Sequence, residues 1–374
     1  MRILIVTNNY TPYSGGVVSS LNAVIPALQR AGHEVVLVAP QFLATHADDP
    51  TWVRRVPSLV RFTWHNNRMA LPWRMKQNVS KIMQAFKPDV VHVQHPFLLG
   101  EVARTVAHAK GIRVVFTYHT LYESYAHYVP LPQPLVKKII TARVQRFCNK
   151  VDTVIAPSQG VRDALDARGV MSTVVVIPSP LQDLFLHQLS PQERNDGRLV
   201  LLTVGRFVPE KNMHAVLELY AQLPRERFRL VLIGYGTLYE SLQHYAYTTL
   251  KCSHSDVQFV HKPSQSVIAH WYANADIFLF TSQTDTQGLV LAEAMAGGLP
   301  VVALPGVGQQ EIVRDGVNGY ICASISDMRE KLLLLAGNQE MLNVLSQGAK
   351  HTSKNYTSDK IVQDVVYLYQ QLAK

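Results

Sequence analysis

Short runs of branched apolar residues recur along the 374-residue chain, each followed by turn residues and then a helical stretch, and the pattern restarts near residue 199. The run RILIVT at 2–7 is too short for a core helix and apolar at consecutive positions, as expected of a strand buried on both faces of a parallel sheet. Parallel strands need a long crossover, usually a helix. Strand candidates at 2–7, 34–39, 89–93, 112–117, 152–156 and 173–177, with helices near 17–30, 76–86, 98–109, 134–149 and 159–168, predict one doubly wound α/β domain. Strands at 199–204, 228–233, 257–260, 276–280 and 300–303, with helices at 212–223 and 289–296, predict a second. The join over 178–198 holds Pro178, Pro180, Pro191 and Gly197. The chain therefore reads as a first domain over 1–180, a second over 198–350 and a terminal segment, 351–374. A helix over 356–372 in that segment has apolar Ile361, Val365, Val366, Leu368 and Tyr369, whose packing partner the pattern leaves open.

Hydrophobic residues make up 47% of the chain and charged residues 17%, enough apolar material for two cores and the wrong balance for a disordered, collagen-like or coiled-coil protein. Three cysteines exclude a disulfide scaffold, and their spacing holds no zinc pattern. There is no apolar run long enough to span a bilayer, and MRILIV reads as a strand rather than a signal peptide. The expected location is the cytoplasm.

The charge is uneven. Residues 1–190 carry 20 basic and 10 acidic side chains, against 16 and 17 in residues 191–374. Between Asp49 and Asp89 stand Arg54, Arg55, Arg61, Arg68, Arg74, Lys76, Lys81 and Lys87 with no acid among them. Such a field attracts an anionic partner, nucleic acid or a membrane surface being the usual ones. Met69, Leu71, Trp73 and Met75 lie beside the basic run, and a second segment, 134–147, combines Leu135, Ile139 and Phe147 with Lys137, Lys138, Arg143 and Arg146. Apolar and basic side chains together suit an interface with anionic lipid, and no nucleic-acid motif accompanies them. Arg54, Arg55, Arg61, Trp73, Arg74, Lys76, Lys137, Lys138 and Arg143 are the candidate membrane contacts; a solvated face that only aids solubility is the alternative.

In open parallel sheets ligands bind beyond the carboxyl ends of the strands, so the polar residues there come first in a search for a site. Gly15 and Gly16 separate the first strand from the first helix. Two glycines allow close backbone approach and a helix start favours an anion, although a plain strand-to-helix turn has the same composition and the GxGxxG spacing is absent. His119, in FTYHTLYE, can donate to a hydroxyl or phosphate or exchange a proton, or be one surface histidine among 15. Gly205, Arg206 and Lys211, in VGRFVPEKN, offer an anion clamp near a helix start, while Glu210 between the cations also suits a solvated turn. Asp285 falls in the loop after strand 276–280, followed by Gly288 and Leu289. Glu293 sits among Leu, Ala and Met and needs a hydrogen-bonding partner if buried, unless it is the one polar position of an amphipathic helix.

Taken in order, Gly15-Gly16, the His119 segment, Gly205-Arg206…Lys211 and Asp285…Glu293-Ala294-Met295-Ala296-x-Gly298-x-Pro300-Val301 resemble the retaining glycosyltransferases of the GT-B fold, family 4, over nearly the whole chain. FTYHTLYESYAHYVP and TDTQGLVLAEAMA look most like diacylglycerol glucosyltransferases and related lipid glycosyltransferases. The fold this implies is α/β, GT-B, two Rossmann-like domains facing across a cleft. The first would bind the acceptor and the second the nucleotide sugar, with the final helix crossing back to the first. By the same resemblance Gly15 and Gly16 sit by the donor diphosphate or sugar, Arg206 and Lys211 neutralise the diphosphate, and Glu293 holds the ribose hydroxyls. Asp285, with the amides of Gly288 and Leu289, contacts the sugar and phosphate. His119 touches the sugar near the reacting carbon, and Lys262 and Pro263 frame the base.

The implied donor is UDP-glucose, with GDP-mannose and UDP-galactose behind it, and the implied acceptor a hydroxyl of a membrane lipid such as diacylglycerol, reached from the inner face of the membrane. No cofactor is called for, and no DxD-type metal motif follows a strand. Retention can proceed through a carboxylate nucleophile, but no candidate stands out, and the resemblance favours attack and departure on the same face. The chain departs from the family in having Asp285 where glutamate is usual, and Ser179-Pro180 where an Asn-Gly turn is common. Alternative readings are the same chemistry on a soluble sugar, polysaccharide or protein, a nonenzymatic nucleotide-sugar or glycan-binding module, and a nucleoside-diphosphate-sugar epimerase.

Overall fold

The computed structural model describes residues 1–12, 15–42, 49–64, 67–124, 131–186 and 197–373, without the side chains of 64–68. Pro191 and most of the polar part of the predicted join lie outside that set. The chain forms two compact units, Met1–Pro180 with Ser358–Lys374, and Leu181–Thr357.

In the first unit β1 (Arg2–Val6), β2 (Glu34–Pro40), β3 (Val53–Val56), a hairpin of β4 (Ser58–Trp64) and β5 (Asn67–Pro72), β6 (Val90–Val93), β7 (Arg113–Thr117), β8 (Thr153–Ala156) and β9 (Thr173–Val176) follow in chain order. Seven of them make one parallel sheet in the order β3-β2-β1-β6-β7-β8-β9. The direction of winding reverses between β1 and β6, which makes their carboxyl ends the switch point where such sheets take ligands. Ile3, Ile5, Leu37, Val90, Val115 and Ile155 of the sheet form one core cluster with Leu21, Ile25 and Leu28 of the helix Gly16–Arg30. The same cluster takes in Ile361, Val365 and Tyr369 of the helix Ser358–Leu372.

Strand β3 and the hairpin escaped the sequence reading. The run VRRV carries two arginines and only Val53 and Val56 are buried, so no apolar run marks it. In the hairpin Val60 pairs with Leu71 and Phe62 with Met69. Period-two geometry puts these four on one face, and each is at least 40% exposed.

His92 lies on β6 with both ring nitrogens engaged: Nδ1 is 2.6 Å from the Tyr369 hydroxyl and Nε2 2.7 Å from Thr117 Oγ1. Burial pushes its pKa down to about 3, with the nearby His119 adding to the effect, so the ring is neutral and donates on one side only. Tyr369→Phe would leave a ring nitrogen or Thr117 short of a partner, with an expected loss of about 1–3 kcal/mol. Chemical denaturation of the two proteins measures this directly.

The second unit repeats the architecture. Its strands β10 (Leu199–Arg206), β11 (Phe228–Tyr235), β12 (Val257–His261), β13 (Ile277–Phe280), β14 (Val301–Ala303) and β15 (Gly319–Ile321) form a parallel sheet in the order β12-β11-β10-β13-β14-β15. Alternate residues go to opposite faces. Leu201, Leu230, Leu232, Ile277 and Leu279 join one core cluster, and Val200, Leu202, Val231, Ile233, Phe278 and Phe280 the other. Two-sided burial is why these strands read as unbroken apolar runs. The unit starts at Leu181 because Leu181 and Phe185 pack into the second cluster and the Leu181 N–H donates to Tyr356 O at 2.8 Å. Here too the winding reverses, between β10 and β13.

Candidate active site

At the end of β10 the backbones crowd. A Cβ at Gly234 would lie 1.8 Å from Gly205 O, and one at Gly236 2.2 Å from Phe207 O. Beyond Arg206 the turn Pro209–Lys211 leads into the helix Met213–Ala221. The end of β13 pins that turn: Thr281 Oγ1 donates to Lys211 O (3.2 Å) and Asn212 O (3.0 Å), and Ser282 Oγ donates to Glu210 O (3.2 Å). The two strands that flank the switch point thus fix Lys211 in place.

Lys211 Nζ lies 2.6 and 2.8 Å from the two carboxylate oxygens of Asp285, and Arg206 Nη2 lies 3.5 Å from Glu210 Oε1. The sequence reading took Arg206 and Lys211 as an anion clamp, Asp285 as a contact to the donor sugar and phosphate, and Glu210 as a sign of a solvated turn, and paired none of them with one another. The structure gives each cation a carboxylate, so the quartet is neutral overall. Burial pushes the Asp285 carboxyl up, but the charge and hydrogen bond of Lys211, with help from Ser282 and Arg206, bring it below the ordinary carboxylate range. An anion arriving here competes with Asp285 for Lys211 or shares it.

Gly288 has φ 70°, and a Cβ there would meet Leu291 Cδ1 at 2.9 Å. It starts the helix Leu289–Ala296, which has no side-chain cap. One turn in, Glu293 is 6% exposed and accepts a 3.0 Å hydrogen bond from the Tyr272 hydroxyl. Burial raises its pKa to about 7, and the Tyr272 bond offsets only part of that. The loop carrying Asp285 is braced from below. The Gly308 N–H donates to Asp285 O at 3.2 Å, and the buried Gln309 amide donates to Ser282 O and Leu304 O. Lys262 and Pro263 follow β12, where the Lys262 N–H is committed to Gly234 O at 3.0 Å. Gly205, Arg206, Lys211, Lys262, Pro263, Asp285, Gly288, Leu289 and Glu293 therefore all lie at or beyond the carboxyl ends of β10, β12 and β13.

Gly15, Gly16 and His119 belong to the first unit. Gly15 precedes the helix that begins at Gly16, and nothing lies within 4 Å of where a Gly16 Cβ would be, so packing does not demand glycine there. His119 Nε2 is 2.6 Å from Gln94 Oε1, an acceptor, so the ring proton sits on Nε2. Burial brings its pKa down to about 4, which keeps it neutral near pH 7. His95, at the end of β6, accepts from the Asn8 N–H at 3.2 Å and lies at the switch point itself. Gln94, His95 and Tyr272 were missed in the sequence. The rule that polar residues after strands matter would have found the first two, while Tyr272 carries no such signal.

The candidate membrane residues divide. Arg54, Trp73, Arg74, Lys76, Lys137, Lys138 and Arg143 are exposed. Arg61 reaches Gln41 Oε1 at 3.2 Å. Arg55 is a correction: its guanidinium is bound by both Asp49 oxygens (2.7 and 2.8 Å), Pro40 O and Thr11 O, and its side chain is 11% exposed. It holds the first unit together and is not free to meet a surface.

Residues 14–182 match the model of Glycosyltransferase Family 4, and residues 188–352 that of Glycosyl transferases group 1. The chain is a GT-B-fold glycosyltransferase related to these enzymes. It is 29% identical over 346 residues to an alpha-monoglucosyldiacylglycerol synthase of Streptococcus pneumoniae, spanning 89% of this chain and 78% of that one. It is also 29% identical over 345 residues to a GDP-mannose-dependent alpha-mannosyltransferase of Mycolicibacterium smegmatis, spanning 86% of both. Among solved structures, Anabaena HepE in complex with UDP matches with a TM-score of 0.77 at 18% identity, over 99% of this glycosyltransferase and 100% of HepE. Among the described residues, no group of three or more His, Cys, Asp or Glu is placed to hold a metal ion, and no helix is long and apolar enough to cross a membrane.

Proposed function

We propose that this glycosyltransferase moves a hexose, glucose foremost, from a nucleoside diphosphate sugar to a hydroxyl of a membrane lipid such as diacylglycerol, with retention at the anomeric carbon. The observation that carries the reading is the quartet of Arg206, Glu210, Lys211 and Asp285 at the switch point of the second unit, with Glu293 buried nearby. Breaking the bond to the anomeric carbon builds charge on the departing diphosphate, and Arg206 and Lys211 meet it where it develops. Lys211 then turns from Asp285 toward phosphate, leaving Asp285 to accept from hydroxyls of the sugar. Ionised Glu293 accepts from the ribose hydroxyls, and the Gly288 and Leu289 amides add donors to the diphosphate. Neutral His119 serves as a hydrogen-bonding contact to the sugar.

The diacylglycerol-linked name of the pneumococcal relative supports a lipid acceptor, and HepE's complexes with UDP and UDP-glucose support a uridine donor. The mannosyltransferase relative keeps GDP-mannose as a second donor to test, with UDP-galactose a third. Exposed Leu135 and Ile139 run along the helix Gln133–Cys148 toward a recess of about 400 Å³ whose lining includes Ile139, Arg143, Arg146 and Lys150, together with Glu101, which is paired with Arg104. That face suits the inner surface of an anionic membrane, each basic residue adding about 1 kcal/mol. A soluble acceptor is the second reading.

A donor screen with lipid extract and with soluble sugars as acceptors, read by product mass and anomeric proton coupling, tests the reaction. A retained glucolipid is expected; product only on soluble sugars would overturn the lipid assignment. In vesicle sedimentation, Lys137→Gln/Lys138→Gln/Arg143→Gln is expected to weaken binding to anionic vesicles and to flatten its dependence on salt.

A further inference from the structure

The buried carboxylate of Glu293 is held by a single neighbour. Its Oε2 accepts from the Tyr272 hydroxyl at 3.0 Å, while Oε1 has no hydrogen-bond partner among the described residues and keeps a small contact with solvent. One oxygen is thus committed to the protein and the other is left to accept from something else.

Tyr272 is fixed at both its backbone and its ring. It lies on the helix Gln265–Asn274, which touches the end of the helix Leu289–Ala296 at backbone level: a Cβ at Gly297 would lie 2.4 Å from Tyr272 O. The ring is 2% exposed, meets Phe185 edge-on with centroids 5.7 Å apart, and lies 5.9 Å from Phe278 at 55°. All three rings belong to the same core cluster.

These contacts need only a phenyl ring. A hydroxyl buried among apolar side chains is unfavourable unless it is bonded, and this one has its bond to Glu293. The fold in turn carries a carboxyl that burial disfavours when charged, pushed up to about 7, and the Tyr272 bond is what pulls it back down. The helices packed against this one carry other titratable groups, Asp183, His270, Glu311 and Lys350 among them, and none acts on the Glu293 carboxyl. The hydroxyl and the carboxylate therefore account for each other and for nothing else in the core.

We propose that Tyr272 is a positioning residue for donor binding: its hydroxyl fixes the Glu293 carboxylate so that Oε1 faces outward to accept from the ribose diol. The inference rests on Glu293 being the ribose acceptor. A carboxylate free to rotate gives up that freedom when the ligand arrives, whereas one already bonded through Oε2 has given it up in the folded protein. The same bond favours the charged form, which accepts more strongly.

Calorimetric titration of the full chain with UDP and, in parallel, GDP from pH 6 to pH 9 tests this without any transfer reaction. The proteins are the parent, Tyr272→Phe, Glu293→Ala and the double variant, each checked for a cooperative melt. Phenylalanine keeps the ring and removes one atom from a filled core. Tyr272→Phe is expected to weaken the tighter nucleotide about tenfold at pH 7. It should also move the pH at which affinity declines upward, because the lost bond favoured the charged carboxylate. Comparing proteins at each pH cancels the titration of the nucleotide itself. In the Glu293→Ala background Tyr272→Phe should change affinity little, since no carboxylate is left to position. If Tyr272→Phe bound like the parent at every pH, or lost the same affinity with and without Glu293, the inference would be overturned and the ribose reading of Glu293 left intact. Parental affinity in Glu293→Ala would overturn both.

Discussion

Glu293→Gln is expected to make the protein more stable at pH 8 and far less active. Burial holds the Glu293 carboxyl at about 7, above its ordinary 4.5. The unfolded chain therefore ionises first. The resulting penalty on the folded state is absent below pH 4.5, grows between 4.5 and about 7, and stays constant above. At full development it is worth about 3 kcal/mol. Glutamine keeps an acceptor for the Tyr272 hydroxyl and removes the charge, so the melting temperature should rise by several degrees at pH 8 and hardly change at pH 4. Activity moves the other way. An amide accepts weakly where an ionised carboxylate accepts strongly, and kcat/KM should fall about 100-fold, mostly through KM for the donor. In the parent enzyme the donor KM should rise as the pH drops through about 7, because protonated Glu293 loses its acceptor strength. Steady-state kinetics across pH, beside calorimetry of both proteins, measures every part of this. A donor KM flat from pH 6 to pH 8 would remove Glu293 from the binding site.

Lys211→Met should cost about 10²–10³ in kcat through the lost stabilisation of the leaving group. It should also destabilise the fold by about 1–3 kcal/mol, because Asp285, with its side chain 21% exposed, is left without its counter-ion. Adding Asp285→Asn should restore most of the stability and none of the activity. A pair that matters only for folding would regain both, and the double-mutant cycle separates the two cases. The sign with pH is fixed by Asp285. Pairing holds its carboxyl below 3.8, so the stabilisation is complete above that pH and fades as the pH falls through the folded value. Urea denaturation of the parent should show that acid limb, and Lys211→Met should lose it.

Much of this was legible in the residues. Each long parallel strand, buried on both faces, announces itself as an unbroken apolar run, and the restart at Leu199 gives away the duplication. Elements lacking that signature were lost: β3, with two arginines among four residues, and the helices Ile325–Ala336 and Gln339–Ser353, whose mixed composition blurs the period. The site was legible to the extent that it follows strands in sequence. That rule placed Arg206, Lys211, Asp285 and His119 beyond carboxyl ends. What it could not supply were partners distant along the chain. Nothing near Lys211 says that Asp285 will bind it, nothing near Glu293 says that Tyr272 will cap it, and nothing near Arg55 says that Asp49, Pro40 and Thr11 will absorb it. Spacing identifies the reactive groups, and tertiary pairing decides their charge state.

The route of the backbone also governs how the protein is made. Residues 1–180 cannot complete their core until Ile361, Val365 and Tyr369 have been synthesised, whereas Leu181–Thr357 has all its own parts earlier. A chain ending at Thr357 should thus close its later half while its first half stays open, the reverse of the usual amino-terminal priority. Limited proteolysis of that truncated chain should leave a resistant second half tethered to an unfinished first.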